Sequence, residues 1–248
     1  MRRRPVALRA RGWHSDQVIL DRVACALCLF TAGCGAPAAP PHNPHGAHHA
    51  SHADGASPLV HRFERAADWA PIFDDPARDE WQRPADVVTA LDVTPGMTVA
   101  DVGAGTGYFV PWLSRAVGPA GAVLAVDVEP DMVRHVEARA RREGLSNVRA
   151  QLGSPRDPGL APASVDRVLV VDTWHHVPDR RAFAAKLRAA LRPGGKILIV
   201  DFRPDARRGP PAHHRLDPAE IARDLEAAGL AARVLSPGLP EQAMVLGQ

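Results

Sequence analysis

From about residue 60 onward, short apolar runs rich in β-branched side chains alternate with longer segments whose apolar positions recur at helical spacing. The first pattern is typical of buried strands and the second of amphipathic helices. Strands are predicted at 98–102, 122–126, 148–152, 165–171 and 196–200, followed by two closing strands at 231–235 and 243–246. Helices are predicted at 84–91, 107–117, 130–143, 179–191 and 217–228, after a helical cap that covers 63–82.

Residues at the ends of these segments support the predicted helices. Pro84 suits a first helical turn, Asp179 is a favourable N-cap, and Gly144 is a favourable helix end. Because strands and helices alternate, we expect an α/β fold with a doubly wound, mainly parallel sheet covered by helices on both faces. The last two strands are joined by a short loop, so one of them is expected to run antiparallel.

The first 34 residues have the composition of an export signal. An arginine-rich stretch precedes the apolar run 23–30, and Thr31, Ala32 and Gly33 then lead to Cys34. Basic, apolar and small residues in this order are typical of a secretory signal. Small residues directly before a cysteine resemble a bacterial lipoprotein cleavage site, with Cys34 as the lipid acceptor. Residues 1–34 are therefore predicted to export the chain or attach it to a membrane, the alternative being a cytoplasmic tail.

Residues 35–58 are rich in proline, alanine, glycine and histidine, a composition that cannot build a core and predicts a flexible linker. This segment has histidines at 42, 45, 48, 49 and 52, which allow two interpretations: it binds a soft divalent metal weakly, or it is a solvated spacer. Their spacing fixes no rigid site, so no metal centre is predicted. The remaining residues, 59–248, form one domain whose N-terminal helical cap is 59–92.

Charge and cysteine content exclude several classes of function for this domain. The formal net charge is +2, but six arginines and two aspartates give residues 1–33 a charge of +4, which leaves −2 for the rest. The domain is therefore not expected to bind nucleic acid. All three cysteines, at 25, 28 and 34, precede the domain, which excludes a cysteine nucleophile or a cysteine-based zinc site in it.

A glycine loop, 103–107, follows the first predicted strand and leads into a helix. Glycine permits a tight turn and a close approach of ligand to backbone, and a helix N-terminus offers free N–H groups. The spacing is G-x-G-x-G, with Tyr108 where a dinucleotide fingerprint, G-x-G-x-x-G, requires a third glycine. Asp101, just before the loop, would repel a phosphate but could accept a hydrogen bond from an ammonium group. At the end of the second strand, Asp127 is placed to bind ribose hydroxyls.

Four stretches together resemble class I S-adenosylmethionine-dependent methyltransferases, near the methyltransferase type 11 and ubiquinone/menaquinone C-methyltransferase group. They are 99–108, 123–132, 166–179 and 191–201, within a resemblance that spans 81–202. The resemblance implies a Rossmann-like seven-stranded sheet of order 3-2-1-4-5-7-6 with strand 7 antiparallel. It also implies S-adenosylmethionine as the cofactor, bound by Asp101, Gly103, Ala104, Gly105, Thr106, Gly107, Tyr108, Asp127, Val128, Glu129 and Asp172. Ser154 stands where many members carry an adenine-binding aspartate.

Methyl transfer is a displacement at a sulfonium methyl group, so it needs alignment and, for some acceptors, a base. The loop after the fourth strand supplies the candidate catalytic residues Asp172, His175 and His176. Each has a structural alternative, such as ordering the loop. The candidate substrate contacts are Trp81, Gln82, Trp174, His214 and Arg215.

Two other functions remain open from the sequence. One is a dinucleotide-dependent oxidoreductase, which the glycine spacing disfavours. The other is a non-catalytic, methyltransferase-like binding protein with a metal-handling histidine-rich arm. Export favours this second alternative, because S-adenosylmethionine is a cytosolic metabolite. The expected partner is a small-molecule methyl acceptor whose identity the sequence leaves open.

Overall fold

The computed structural model describes residues 63–236 and 238–248. The predicted export signal, Cys34 and the histidine-rich linker lie outside these residues. Within them, no helix is long and apolar enough to cross a membrane.

A seven-stranded sheet lies at the centre of the described residues, with the order β3-β2-β1-β4-β5-β7-β6. β7 runs antiparallel to β5 and β6, and the other neighbouring pairs are parallel. The order implied by the sequence resemblance is confirmed. The strands are β1 (Thr98–Val102), β2 (Ala122–Asp127), β3 (Val148–Leu152), β4 (Val165–Val171), β5 (Leu191–Phe202), β6 (Ala232–Val234) and β7 (Gln242–Gly247).

Both faces of the central strands are buried, which explains why these strands are apolar throughout. In β4, Val168 and Val170 belong to one core cluster, while Leu169 and Val171 belong to the other. The first cluster includes residues of α6 and α7, and the second includes residues of α3 and α4. The helices are α1 (Ala66–Phe73), α2 (Arg78–Gln82), α3 (Pro84–Ala90), α4 (Val110–Val117), α5 (Pro130–Glu143), α6 (Arg180–Ala190) and α7 (Pro218–Ala227).

The predicted helix ends agree with the structure at three places. The Asp179 carboxylate accepts a hydrogen bond from the backbone N–H of Ala182 at the start of α6. Gly144 ends α5 in the left-handed conformation, and Pro84 is the first residue of α3. These ends depend on local backbone chemistry, so they can be read from the sequence.

Two predicted boundaries were wrong, and the helical cap is divided into two helices. The helix after the glycine loop begins at Val110 rather than at 107, because Gly107 has a φ of +85°, which a right-handed helix does not allow. The cap segment, 63–82, contains two helices, α1 and α2, separated by a turn at 74–77. The pairing of β4 with β5 already begins at Leu191, and its register shifts across the residues expected to form only a turn, 193–195.

Candidate active site

A cavity of about 430 Å³ lies where the first, second and fourth parallel strands end. Asp101, Asp127 and Asp172 line it from β1, β2 and the residue after β4. Side chains of α1 and α2, including Phe73 and Arg78, line it from the cap. This is the place where open α/β sheets bind ligands, because the strand ends and their loops leave a crevice there.

The glycine loop forms part of the cavity wall through Gly103, Ala104, Gly105 and Thr106. Gly103 has a φ of +79°, and a Cβ atom there would lie 2.2 Å from the Thr173 Oγ1. A side chain at this position is therefore excluded both by the backbone conformation and by the neighbouring loop. The loop backbone is left open to the cavity.

Gly107 was predicted to bind cofactor but is not among the residues that line the cavity. A Cβ atom there would lie 3.2 Å from Val136 Cγ2 and 3.3 Å from Val110 Cγ2. Its place in the fold is explained by close packing of the loop against α4 and α5. The glycines of this loop thus have two different roles: Gly103 leaves the backbone open to the cavity, and Gly107 permits close packing. Their spacing in the sequence does not distinguish these roles.

Asp101 is 3% exposed, and its Oδ2 atom is the one buried side-chain oxygen or nitrogen of the described residues without a hydrogen-bond partner. Burial, with a further contribution from the charge of Asp127, raises the pKa of Asp101 to about 7. Buried polar atoms are normally paired, because an unpaired one costs free energy. An unpaired carboxylate oxygen on a cavity wall is suited to a cationic donor from a ligand.

Asp127 is held in a fixed orientation by the backbone. Its Oδ2 accepts a hydrogen bond from Gly105 N at 2.8 Å, and its Oδ1 accepts one from Glu129 N at 2.9 Å. Burial nevertheless raises its pKa. Each carboxylate oxygen keeps acceptor capacity for ligand hydroxyls. Val128, Glu129 and Ser154 line the cavity beside it, and the Ser154 hydroxyl donates to Asp157 O at 3.3 Å.

Four side chains form a closed ring of hydrogen bonds that connects the cap to the sheet. Arg78 donates to Gln82 Oε1 at 3.0 and 3.1 Å, and Gln82 Nε2 donates to Gln242 Oε1. Gln242 Nε2 donates to Asp172 Oδ1, and Arg78 Nη2 donates to Asp172 Oδ2 at 3.3 Å. Sequence reasoning missed Arg78 and Gln242, because only folding brings α2 and β7 to the end of β4.

Asp172 therefore faces the cavity with both oxygens engaged. Burial raises its pKa to about 7, and the nearby Arg78 guanidinium opposes this increase. Its φ of +52° is unusual for a residue with a side chain. Such strain persists only where surrounding contacts enforce it, and the hydrogen-bonded ring provides those contacts.

His175 and Asp201 form a buried pair at the cavity wall, near Asp172. His175 Nδ1 lies 2.9 Å from Asp201 Oδ1 and 3.0 Å from Oδ2, and its backbone N–H donates to Oδ2 at 3.2 Å. Phe202 N donates to Asp201 Oδ1 at 2.8 Å. His175 lines the cavity, whereas Asp201 does not, so Asp201 can act there only through His175.

Aromatic side chains cover much of the remaining wall. The Trp81 and Phe202 rings have centroids 5.6 Å apart, and the Trp69 and Phe73 rings stack at 5.4 Å. His176 lines the cavity too, with its ring edge-on to Phe63 at 5.8 Å. The cap thus supplies an apolar wall opposite the polar glycine loop.

The structure places three of the predicted substrate contacts away from the cavity wall. Trp174 is fully buried in the core, where its indole N–H donates to Asp224 at 3.3 Å, and it is not among the residues that line the cavity. Gln82 is fully buried within the hydrogen-bonded ring. Arg215 donates to the carbonyl oxygens of Pro210 and Ala206, so it orders its own loop. The partners of Trp174 and Gln82 are distant in sequence, whereas those of Arg215 lie within its own loop.

Trp81 and His214, the other two predicted substrate contacts, do line the cavity. So does Tyr108, whose hydroxyl donates to Asp79 and whose ring lies 4.2 Å from the Arg78 guanidinium carbon. Burial raises the pKa of Tyr108, which keeps it in its neutral, donating form. Tyr108 thereby holds the cap helix α2 against the glycine loop.

These residues fit S-adenosylmethionine better than a dinucleotide. The unpaired oxygen of Asp101 suits an ammonium group, and the glycine backbone leaves room for the adjoining chain of a ligand. Asp127 suits ribose hydroxyls. A pyrophosphate beside Asp101 would meet a carboxylate instead of the free N–H groups and cations that bind phosphates.

Comparisons with known proteins agree with this geometry. Residues 99–195 match the family model described as a methyltransferase domain. A solved S-adenosylmethionine-dependent methyltransferase from Aquifex aeolicus is 29% identical, with a TM-score of 0.68 over 73% of this chain and 96% of that one. The match covers most of this chain, so the described domain has the fold of this class of enzyme.

Curated relatives match over the same central region. The nocamycin O-methyltransferase of Saccharothrix syringae is 36% identical over 110 residues, which are 44% of this chain and 39% of the relative. A ubiquinone/menaquinone biosynthesis C-methyltransferase of Bordetella avium is 30% identical over 122 residues, 49% of this chain and 47% of the relative. The chain thus spans less than half the length of these curated relatives.

Proposed function

Starting from the methyltransferase domain at 99–195, we propose that this protein transfers a methyl group from S-adenosylmethionine to a small-molecule acceptor. The observation that carries the proposal is the unpaired, buried carboxylate oxygen of Asp101, which lies in the same cavity as the glycine loop and Asp127. Known methyltransferases that match by sequence and by fold support the same activity.

S-adenosylmethionine is the cofactor, as the methyltransferase domain and the Aquifex aeolicus neighbour support. Asp101 would accept from its ammonium group, and the backbone of 103–105 would lie along its methionine part. Asp127 would hold the ribose, while Val128 and Glu129 would border the adenine. When bound, the cofactor supplies an electrophilic methyl group on a cationic sulfur.

The charges that line the cavity favour a positively charged ligand. Asp101, Asp127 and Asp172 are carboxylates, and the Arg78 guanidinium is already bonded to Asp172. A cation gains more from nearby carboxylates inside a protein than in water, because the effective dielectric constant is lower. This balance suits a sulfonium compound and disfavours a polyanion.

The chain's own residues would align the acceptor and exclude water. The sulfur leaves as a neutral thioether, so no residue has to protonate it, and alignment within about 3–3.5 Å supplies much of the rate. The aromatic residues of the cap cover the cavity and keep water from the reacting atoms. Of the candidate catalytic residues, Asp172 is used to anchor the cap, and the two histidines remain to face the acceptor.

Calorimetry of the full chain tests the proposal. We expect saturable binding of S-adenosylmethionine and of S-adenosylhomocysteine, and no tight binding of NADH. Asp127→Ala should weaken both at least tenfold, because the ribose loses an acceptor that is worth about 1.5–3 kcal/mol. The matched control is Asp92→Ala, an exposed aspartate bonded to Lys196 on the outside of the domain, which should leave both affinities unchanged. A folded chain that binds NADH but neither sulfur compound would contradict the proposal.

We also propose, from the sequence alone, that residues 1–34 attach the chain to a membrane through Cys34. Mass spectrometry of the protein from its native host measures the N-terminus of the mature chain. We expect the mature chain to begin at Cys34 and to carry the additional mass of an attached lipid. An unprocessed chain that retains residues 1–33 would contradict this proposal.

A further inference from the structure

The His175–Asp201 pair lies at the cavity and has no part in the proposed binding of the cofactor. The His175 side chain is 4% exposed and the Asp201 side chain is fully buried. Burying such a pair costs free energy unless its hydrogen bonds are satisfied. Here they are satisfied by two backbone N–H groups, those of His175 and Phe202. Because burying the pair is costly, its position at the cavity wall indicates that His175 takes part in the chemistry of a bound molecule.

The pair fixes which nitrogen of His175 can meet a ligand. An ionised carboxylate only accepts hydrogen bonds, so the nitrogen that faces Asp201, Nδ1, must carry the proton. In the neutral imidazole, Nε2 then has the free lone pair. Because His175 lines the cavity, that lone pair is available to a proton donor on a bound molecule.

The rest of the wall indicates what kind of molecule this is. Phe63, Trp69, Trp81 and Phe202 give the cavity flat apolar surfaces. Gly209 packs so closely on Phe202 that a Cβ atom there would lie 2.5 Å from the ring, which keeps the ring in place. Rigid aromatic walls favour a flat, apolar ligand, since such rings stack at little entropic cost.

The charges of the cavity wall restrict which functional group can receive the methyl group. Among the described residues that line the cavity, Arg78 is the one arginine or lysine, and it is already bonded to Asp172, so an anionic acceptor such as a carboxylate has no guanidinium or ammonium group to pair with. An uncharged amine can attack a methyl group before it loses a proton, so it needs no base. A hydroxyl is a weak nucleophile until its proton is removed, and it is therefore the acceptor for which a positioned histidine matters.

We propose that the acceptor is a hydroxyl group on a flat apolar ring, with His175 as its general base and Asp201 as the residue that positions His175. The inference rests on the proposed function. The hydroxyl proton moves to His175 Nε2 while the oxygen forms its bond to the methyl carbon. The bond between that carbon and the cofactor sulfur breaks, and its electron pair stays on the sulfur. The products are the methyl ether, the neutral thioether and protonated His175.

The groups around His175 define the pH dependence. Burial lowers its pKa, but Asp201 and then Asp172 act in the opposite direction, and the net effect is a pKa above the ordinary 6.5. The His176 ring lies 4.1 Å away, and Arg78 is bonded to Asp172. Only unprotonated His175 can accept a proton, so the rate should rise with pH and the midpoint should lie above 6.5.

The test uses the full chain with S-adenosylmethionine and three probes of one ring shape: 2-naphthol, 2-naphthylamine and 2-naphthoate. We expect 2-naphthol to bind the complex with S-adenosylhomocysteine and to be methylated on oxygen. We expect the carboxylate to be methylated at least 100-fold more slowly, and we expect methylation of the amine, which needs no base, to be the same in His175→Ala as in the wild type. Loss of amine methylation in His175→Ala, methylation of the carboxylate as fast as that of 2-naphthol, or no binding of 2-naphthol by a chain that binds both sulfur compounds would overturn the inference and leave the proposed function intact. Loss of cofactor binding itself would overturn the proposed function.

Two variants test the separate parts of the pair. His175→Ala should lower kcat for 2-naphthol roughly 10²–10⁴-fold at pH 7, the usual contribution of a general base, with little change in KM. The deficit should shrink toward pH 10, where a phenol-like hydroxyl ionises by itself. Affinity for S-adenosylhomocysteine should not change. A His175→Ala enzyme with wild-type kcat would overturn the assignment.

Asp201→Asn should move the rising limb of the rate to lower pH, because it removes the charge that raises the pKa of His175. NMR titration of His175 in the protein without cofactor provides a second readout, and the same downward shift is expected there. The matched control is His213→Ala, an exposed histidine outside the cavity wall, which should leave rates and pH profile unchanged. An unshifted His175 titration in Asp201→Asn would show that Asp201 does not position the base.

Discussion

Replacing Asp101 by asparagine should stabilise the protein and at the same time weaken its binding of cofactor. The side chain is 3% exposed, and its Oδ2 has no hydrogen-bond partner. Burial raises its pKa from 3.8 to about 7, so the fold itself disfavours the charged form. Asparagine has nearly the same shape and carries no charge to bury.

The size of the effect follows from the pKa. Each tenfold change in a protonation constant corresponds to about 1.4 kcal/mol, so a shift from 3.8 to about 7 is worth about 4 kcal/mol at most. The folded state holds the extra proton between these two pH values. Stability is therefore lost as pH rises from about 4 to about 7, and no more is lost above that range. Between pH 5 and pH 8 the loss is about 3 kcal/mol, a large part of the 5–15 kcal/mol that stabilises typical domains.

Urea unfolding of both proteins at pH 5 and pH 8 measures this difference. The free energy of unfolding of Asp101→Asn, relative to that of the wild type, should increase by about 3 kcal/mol from pH 5 to pH 8. The control, Asp92→Asn, should show a difference from the wild type that does not change over this range, because Lys196 lowers the pKa of Asp92, which is therefore ionised in the folded and the unfolded state from pH 5 to pH 8. Calorimetry at pH 8 should show at least tenfold weaker binding of S-adenosylmethionine to Asp101→Asn. An advantage that does not change with pH, or unchanged affinity, would refute the reasoning.

Two further substitutions test the geometry around the cavity. Gly103→Ala should abolish cofactor binding, because its Cβ would lie 2.2 Å from Thr173 Oγ1. The control is Gly96→Ala, which has a similar φ but no atom within 4 Å of its Cβ, and it should bind the cofactor normally in the same titration. Gln242→Leu should lower the free energy of unfolding by roughly 2–4 kcal/mol, since Asp172 and Gln82 each lose a hydrogen-bond partner. Urea midpoints of Gln242→Leu equal to the wild type would show that the ring of hydrogen bonds does not fasten the cap.

Local and periodic features of this protein could be predicted from its sequence. The central strands appear as apolar runs because both of their faces are buried, and α5 and α6 are bounded by residues whose chemistry acts on their own turns. Asp101 and Asp127 could be found because each lies at the carboxyl end of a strand of the parallel sheet. The strand order itself came from resemblance, since strand pairing joins segments far apart in the chain.

The sequence by itself therefore determined the class of fold, the glycine loop and the two carboxylates beside it, because each depends on neighbouring residues. Only the tertiary structure decided which side chains reach the cavity. It directed Trp174 into the core and His175 toward the cavity, although the two are adjacent in the chain, and it supplied Asp201 and Gln242 from distant strands. Packing and the need to pair buried polar atoms choose among neighbours in space, and those neighbours exist only once the sheet has formed.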